Sequence, residues 1–152
     1  MHHVRGLIAS ADLLSNFSEK HALHSPVPLI DGLGLLPLSL DDIETRLAPS
    51  RTDCPDGFEH LFGELAEKCS AASVSGPVLY FETDYFGGYG GQGAVVFDSG
   101  TRVFGPKSGD IGPINEALRV LGVRVQSPAI DEFQSVGLHL HRSVEDWFKS
   151  SY

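Results

Sequence analysis

Basic residues are scarce in this chain: 11 Lys and Arg stand against 20 Asp and Glu, for a net charge of −9. A surface of that sign repels phosphate backbones and anionic lipid, which argues against nucleic-acid and membrane partners. Cysteine is nearly absent. Cys54 and Cys69 could in principle be joined, but the opening MHHVRGLIAS has too short an apolar stretch for a secretory signal. Two reduced thiols in a cytoplasmic protein are therefore expected. Long apolar runs are missing as well, and none approaches the ~20 residues needed to cross a bilayer. Neither G-x-S-x-G nor H-E-x-x-H occurs. Cys69 falls on an apolar helical stripe and reads as buried and inert, and Cys54 has only Arg51 nearby to activate it. No catalytic residue and no cofactor is expected on these grounds.

What the chain does have is a glycine-rich, aromatic centre. Residues 77–104 read PVLYFETDYFGGYGGQGAVVFDSGTRVF. Val78 to Tyr85 and Ala94 to Phe97 have the aromatic and β-branched composition of strands. Gly87, Gly88, Gly90, Gly91 and Gly93 lie between them and predict a hairpin with a wide, flexible tip. Asp98-Ser99-Gly100 supplies a second turn before Thr101 to Phe104, so a three-stranded antiparallel meander is expected.

The flanks mix strand and helix without regular alternation. Val4 to Ala9 reads as a strand, and Ser10 as the N-cap of a helix that buries Leu13, Leu14 and Phe17. The prolines of Ser25 to Leu38 point to short edge strands joined at Asp31-Gly32. Ser39 heads a helix with Leu40, Ile43 and Leu47 at core spacing, and a second helical stripe begins at Phe58 and runs to Cys69. Residues 105–112 read as a loop, Pro113 to Leu121 as a helix stopped by Gly122, and Val123 to Val125 as a short strand. Asp131 to Leu138 and Ser143 to Phe148 close the chain as helical segments. The expected class is α+β: one domain over residues 1–152, with a central antiparallel sheet packed by helices.

Several patterns carry possible chemistry. Gly88 to Gly93 is a literal G-x-G-x-x-G, but Ala94 to Phe97 reads as strand where a dinucleotide site needs a helix, and the lysine, H-R-D and D-F-G of a kinase are missing. Strand alternation puts Tyr80, Glu82 and Asp84 on one face, the two carboxylates about 7 Å apart. That pair suits a recognition surface, a cation or acid/base work, and it is also what a solvent-facing strand looks like. Tyr85, Phe86 and Tyr89 at an exposed tip would be contact anchors. His139 and His141 alternate as H-x-H and, if extended, point the same way toward a divalent metal, with His60 or Asp131 as a third ligand.

Three segments carry a resemblance. They are Glu82-Thr83-Asp84-Tyr85-Phe86-Gly87-Gly88 with Gln92; Gly112 to Leu118 ending at Leu121-Gly122-Val123; and Asp131-Glu132-Phe133 to Gly137-Leu138 with His141-Arg142 and Glu145-Asp146-Trp147. Together they resemble a family of small, acidic bacterial proteins, similar in character to the immunity proteins of bacterial toxin systems. The resemblance implies no catalytic residue. The net charge of −9, the aromatics expected at the tip and the lack of a catalytic set point to a non-enzymatic protein-binding module, an immunity-type protein that neutralises a basic toxin domain, with Glu82, Asp84, Tyr85, Phe86, Tyr89 and Gln92 at the contact. The alternative is a small enzyme or ligand-binding domain whose site joins Glu82, Asp84, His139 and His141.

Overall fold

The computed structural model describes residues 1–150. Its centre is strand β1 (Arg5–Ser10), which is antiparallel to β3 (Leu33–Pro37) on one side and to β4 (Val78–Phe86) on the other. With β2 (Val27–Pro28), β5 (Tyr89–Asp98) and β6 (Thr101–Gly109), the sheet has six antiparallel strands in the order β2-β3-β1-β4-β5-β6. Helices cover both faces, so the α+β expectation holds.

Period-2 alternation divides the core. Leu7 and Ala9 of β1, Tyr80 of β4 and Val95 and Phe97 of β5 face helix α1 (Ala11–His21) and helix α2 (Gly63–Ala72), together with Ile43 and Leu47 of a π-helical turn, Asp42–Leu47. Val4 and Ile8, Leu79 and Phe81, and Ala94 and Val96 face the other way. There they meet helices α3 (Pro113–Val120), α4 (Glu132–Val136) and α5 (Val144–Ser150). Ser10 caps α1 by accepting from the Leu13 N–H at 3.3 Å. Ser39 and Asp42 form a reciprocal cap: the Asp42 N–H donates to Ser39 Oγ at 3.0 Å, and the Ser39 N–H donates to Asp42 Oδ2 at 3.1 Å.

Five expectations are corrected. The hairpin tip is a two-residue turn, Gly87-Gly88, both at positive φ, and β5 starts at once with Tyr89 paired to Phe86. Gly90, Gly91 and Gly93 are therefore strand residues. β6 runs on to Gly109 through what composition reads as a loop, with two register shifts against β5. β3 is interior, because its prolines lie outside its own ladder or at its end. Helix α2 begins at Gly63 because the backbone of residues 59 and 60 is held elsewhere, by Glu82. Residues 123–125 form no strand.

Candidate functional site

Beyond the end of the α2 layer, the sheet face that carries Tyr80 is bare, and a cleft of about 310 Å³ opens on it. Its floor comes from adjacent strands. β1 supplies Arg5, with His3 just ahead of it; β4 supplies Glu82 and Asp84; β5 supplies Gly91 and Gly93; β6 supplies Ser108 and Gly109. The wall is the loop bearing Gly57, Glu59 and His60. The register explains the grouping, since Arg5 pairs with Glu82, Glu82 with Gly93 and Asp84 with Gly91. Glycine is required where the wall closes: a Cβ on Gly93 would stand 2.7 Å from the Phe58 ring.

Glu82 is 8% exposed and its carboxylate is fully engaged. Oε1 accepts the Glu59 N–H at 2.5 Å, and Oε2 accepts the His60 N–H at 3.2 Å and the Tyr80 hydroxyl at 2.6 Å. It shares the face of Asp84, as alternation predicts, but it builds the wall and does not face solvent. Opposite it lies Arg5, 6% exposed, whose Nη1 donates to the Leu38 carbonyl at 3.0 Å. Burial pushes the Tyr80 hydroxyl well above its usual range, and the neighbouring Glu82 adds to the effect. His60 is held below the usual imidazole range by burial first and by Arg5 second, against the opposing pull of Glu82 and Glu59. Four carboxylates thus line the cleft against one guanidinium: Glu59, Glu82, Asp84 and Asp110 against Arg5.

The remaining predicted residues lie close by. Phe86 and Tyr89 flank the turn, 74% and 84% exposed. Tyr85 points to the opposite face, where its hydroxyl donates to the Asp110 carbonyl and accepts from Gln92 Nε2. Gln92 Oε1 in turn accepts the Ile114 N–H at 2.8 Å, capping α3 and tying the hairpin to it. A second hollow, of about 280 Å³, opens on that face between Tyr85, Ile111 and Phe133.

The histidine pair is elsewhere. His139 is exposed in the turn after α4, and His141 packs edge-on against Trp147 with ring centroids 4.6 Å apart. Neither lines the cleft with Glu82 and Asp84, so the four-residue site is not assembled. Among the described residues, no group of three or more His, Cys, Asp and Glu side chains is placed to hold a metal ion. Cys69 is fully buried and its thiol is pushed up to about 12 by burial. Cys54 is raised by burial first, then by Glu82 and Asp53. Neither is a ready nucleophile.

Sequence reasoning missed Arg5, His3 and the 57–60 wall. One signal was present: an arginine inside the apolar run Val4 to Ala9 needs polar company when buried, and only the β1–β4 register reveals that Glu82 stands across from it. No helix among the described residues is long and apolar enough to cross a membrane. Comparison with protein families, with curated proteins and with solved structures returns no match.

Proposed function

We propose that this chain is a non-enzymatic protein-binding module of the immunity type, which neutralises a basic toxin domain through the end of its sheet. The observation that carries this reading is the hairpin tip. Two aromatic side chains, Phe86 and Tyr89, stand paired and exposed on strands that are hydrogen-bonded up to the turn itself. Rigid aromatic anchors of this kind contribute much of the binding energy at interfaces while losing little side-chain entropy. Asp84, Asp110 and Glu59 lie exposed beside the tip, and the net charge of −9 favours a basic partner and speeds its approach. In this reading Asp84, Tyr85, Phe86, Tyr89 and Gln92 present or orient the contact, and Glu82 holds the surface beside them in shape.

The test compares the immobilised chain with a Phe86→Ala/Tyr89→Ala double variant in extracts of the encoding organism. A basic protein is expected to be retained by the natural chain and lost with the double variant. Once purified, it should form a 1:1 complex by light scattering, weakened about 30-fold by either single substitution. An identical set of retained proteins for both baits would overturn the reading.

A further inference from the structure

We infer that the crevice between helices α1 and α2 is a binding site for a phosphate dianion, either free or carried as the monoester of a small molecule. No residue of its lining belongs to the cleft or to the hairpin tip, so the inference stands apart from the partner-binding reading.

The first observation is the donor set. A crevice of about 220 Å³ opens between the two helices. Its polar side chains are Asn16, Lys20 and His21 of α1, Lys68 of α2 and Ser75 just beyond it. Every one of them can donate a hydrogen bond and none is a carboxylate, in a chain where acids outnumber Lys and Arg by 20 to 11. The cleft beside the tip and the hollow under Tyr85 both have carboxylates in their walls. Like charges gathered in one crevice repel, and the crowding shows at His21. Its imidazole is held below the usual range by burial first and then by Lys20 and Lys68, and no carboxylate is among the groups that act on it. The fold does not spend these side chains on the end of α1. There the Ala22 N–H donates to the Glu19 and Ser18 carbonyls and the Leu23 N–H to Ser18, so backbone closes the turn.

The second observation is that the donors are held in place. Lys68 is half-buried, and its Nζ donates to the Leu47 carbonyl at 2.7 Å, which fixes the ammonium and leaves two of its three N–H groups unused. The His21 ring packs against Phe17 with centroids 4.5 Å apart. Among the described residues, the side chains of Asn16, Lys20 and Ser75 make no hydrogen bond or ion pair. Two ammonium groups and an imidazole presented from facing helices can give a phosphate charge-assisted hydrogen bonds from several directions at once. The anion in turn removes the repulsion among them. Shape limits the ligand further. The buried Leu13 and Phe17, with Ala71 and Ala72, form the apolar part of the wall, a surface for the carbon part of a monoester. Ligand pockets run from about 300 to 1,000 Å³, so 220 Å³ suits a phosphate with a few carbons and is too small for a nucleotide.

The probes are inorganic phosphate and phenyl phosphate, each titrated at constant ionic strength into the nitrogen-15-labelled chain while amide and imidazole resonances are followed. Saturable shifts are expected at the amides of Lys20, His21 and Ala72. The proton affinity of the His21 imidazole, read from its ring resonances against pH, should rise about tenfold at saturation, because a bound anion favours the charged form. Lys20→Gln, a change of an exposed side chain, and Lys68→Gln should each weaken binding about fivefold, and Lys20→Arg should keep it. Lys107→Gln, which removes an ammonium paired with Glu116 outside the crevice, should leave it unchanged, as should Phe86→Ala/Tyr89→Ala. Both probes support the site when they bind in this way: tighter binding of phenyl phosphate identifies a monoester as the ligand, and equal binding identifies free phosphate. Absence of saturable shifts at those amides, the same shifts with sodium chloride, or affinity indifferent to both Gln variants overturns the inference and leaves the partner-binding reading untouched.

Discussion

At the scale of single residues, the balance around Glu82 decides whether the cleft keeps its wall. Its two oxygens satisfy two loop N–H groups and one buried phenol, and it faces a buried guanidinium. Glu82→Ala strands those donors, and each buried donor left without a partner costs about 1–3 kcal/mol. Tyr80→Phe withdraws one hydroxyl from an oxygen that keeps another donor, so its cost should be about 1 kcal/mol. Urea unfolding of the two variants therefore separates two roles for Glu82. A structural carboxylate gives a large loss for Glu82→Ala and a small one for Tyr80→Phe. Equal, small losses would mean that water replaces the carboxylate and that the wall is held by other contacts.

At the scale of elements, the hairpin β4-β5 shows how a tight turn sets what the site presents. Gly87 and Gly88 adopt φ of 58° and 82°, the left-handed pair that a two-residue hairpin needs to match strand twist. A side chain in that region costs about 1–2 kcal/mol, so Gly87→Ala and Gly88→Ala should each destabilise by that amount although no atom lies within 4 Å of either added Cβ. Substitution without a thermal or urea shift would show that the turn relaxes to another type, and the Phe86–Tyr89 pairing would then be lost from cross-strand nuclear Overhauser contacts. The same hairpin shows what sequence patterning can and cannot deliver. Alternation correctly put Glu82 with Asp84 and Tyr85 on the other face, and Ser10 announced the start of α1. Five clustered glycines looked like a loose tip because composition does not reveal that the glycines in β5 are paired with β4 and that one of them makes room for Phe58. The 58–62 segment kept helical spacing but not helical backbone, since a long-range carboxylate outbid local hydrogen bonds. Arg5 and His3 joined the site only through strand register, which no local pattern encodes.

At the scale of the whole molecule, both sheet edges are built against strand addition. β2 is two residues long and includes Pro28, and β6 is bulged twice and carries Pro106, which has no N–H to offer, with Arg102 and Lys107 beside it. Short, bulged, charged or proline-bearing edges resist strand addition, so a partner bound as proposed would meet the tip and not extend the sheet. Stability of the fold should also follow pH in one direction. His2, His21 and His60 are each held below the ordinary imidazole value, burial being the largest cause in all three; Arg142 adds to it at His2, Lys20 and Lys68 at His21, and Arg5 at His60. His2 is further fixed between the Thr83 hydroxyl at 2.7 Å and the Leu138 carbonyl at 3.3 Å. In the unfolded chain these imidazoles titrate near 6.5, so below about pH 7 the unfolded state binds more protons than the folded one. Stability must then fall as the pH drops from 7.5 toward 5.5, before carboxylate protonation begins to matter. The urea midpoint should decrease over that interval, and His60→Gln should flatten part of the decrease; a midpoint that rises on acidification would mean that the imidazoles gain protons on folding, and the sign assigned to their burial would be wrong.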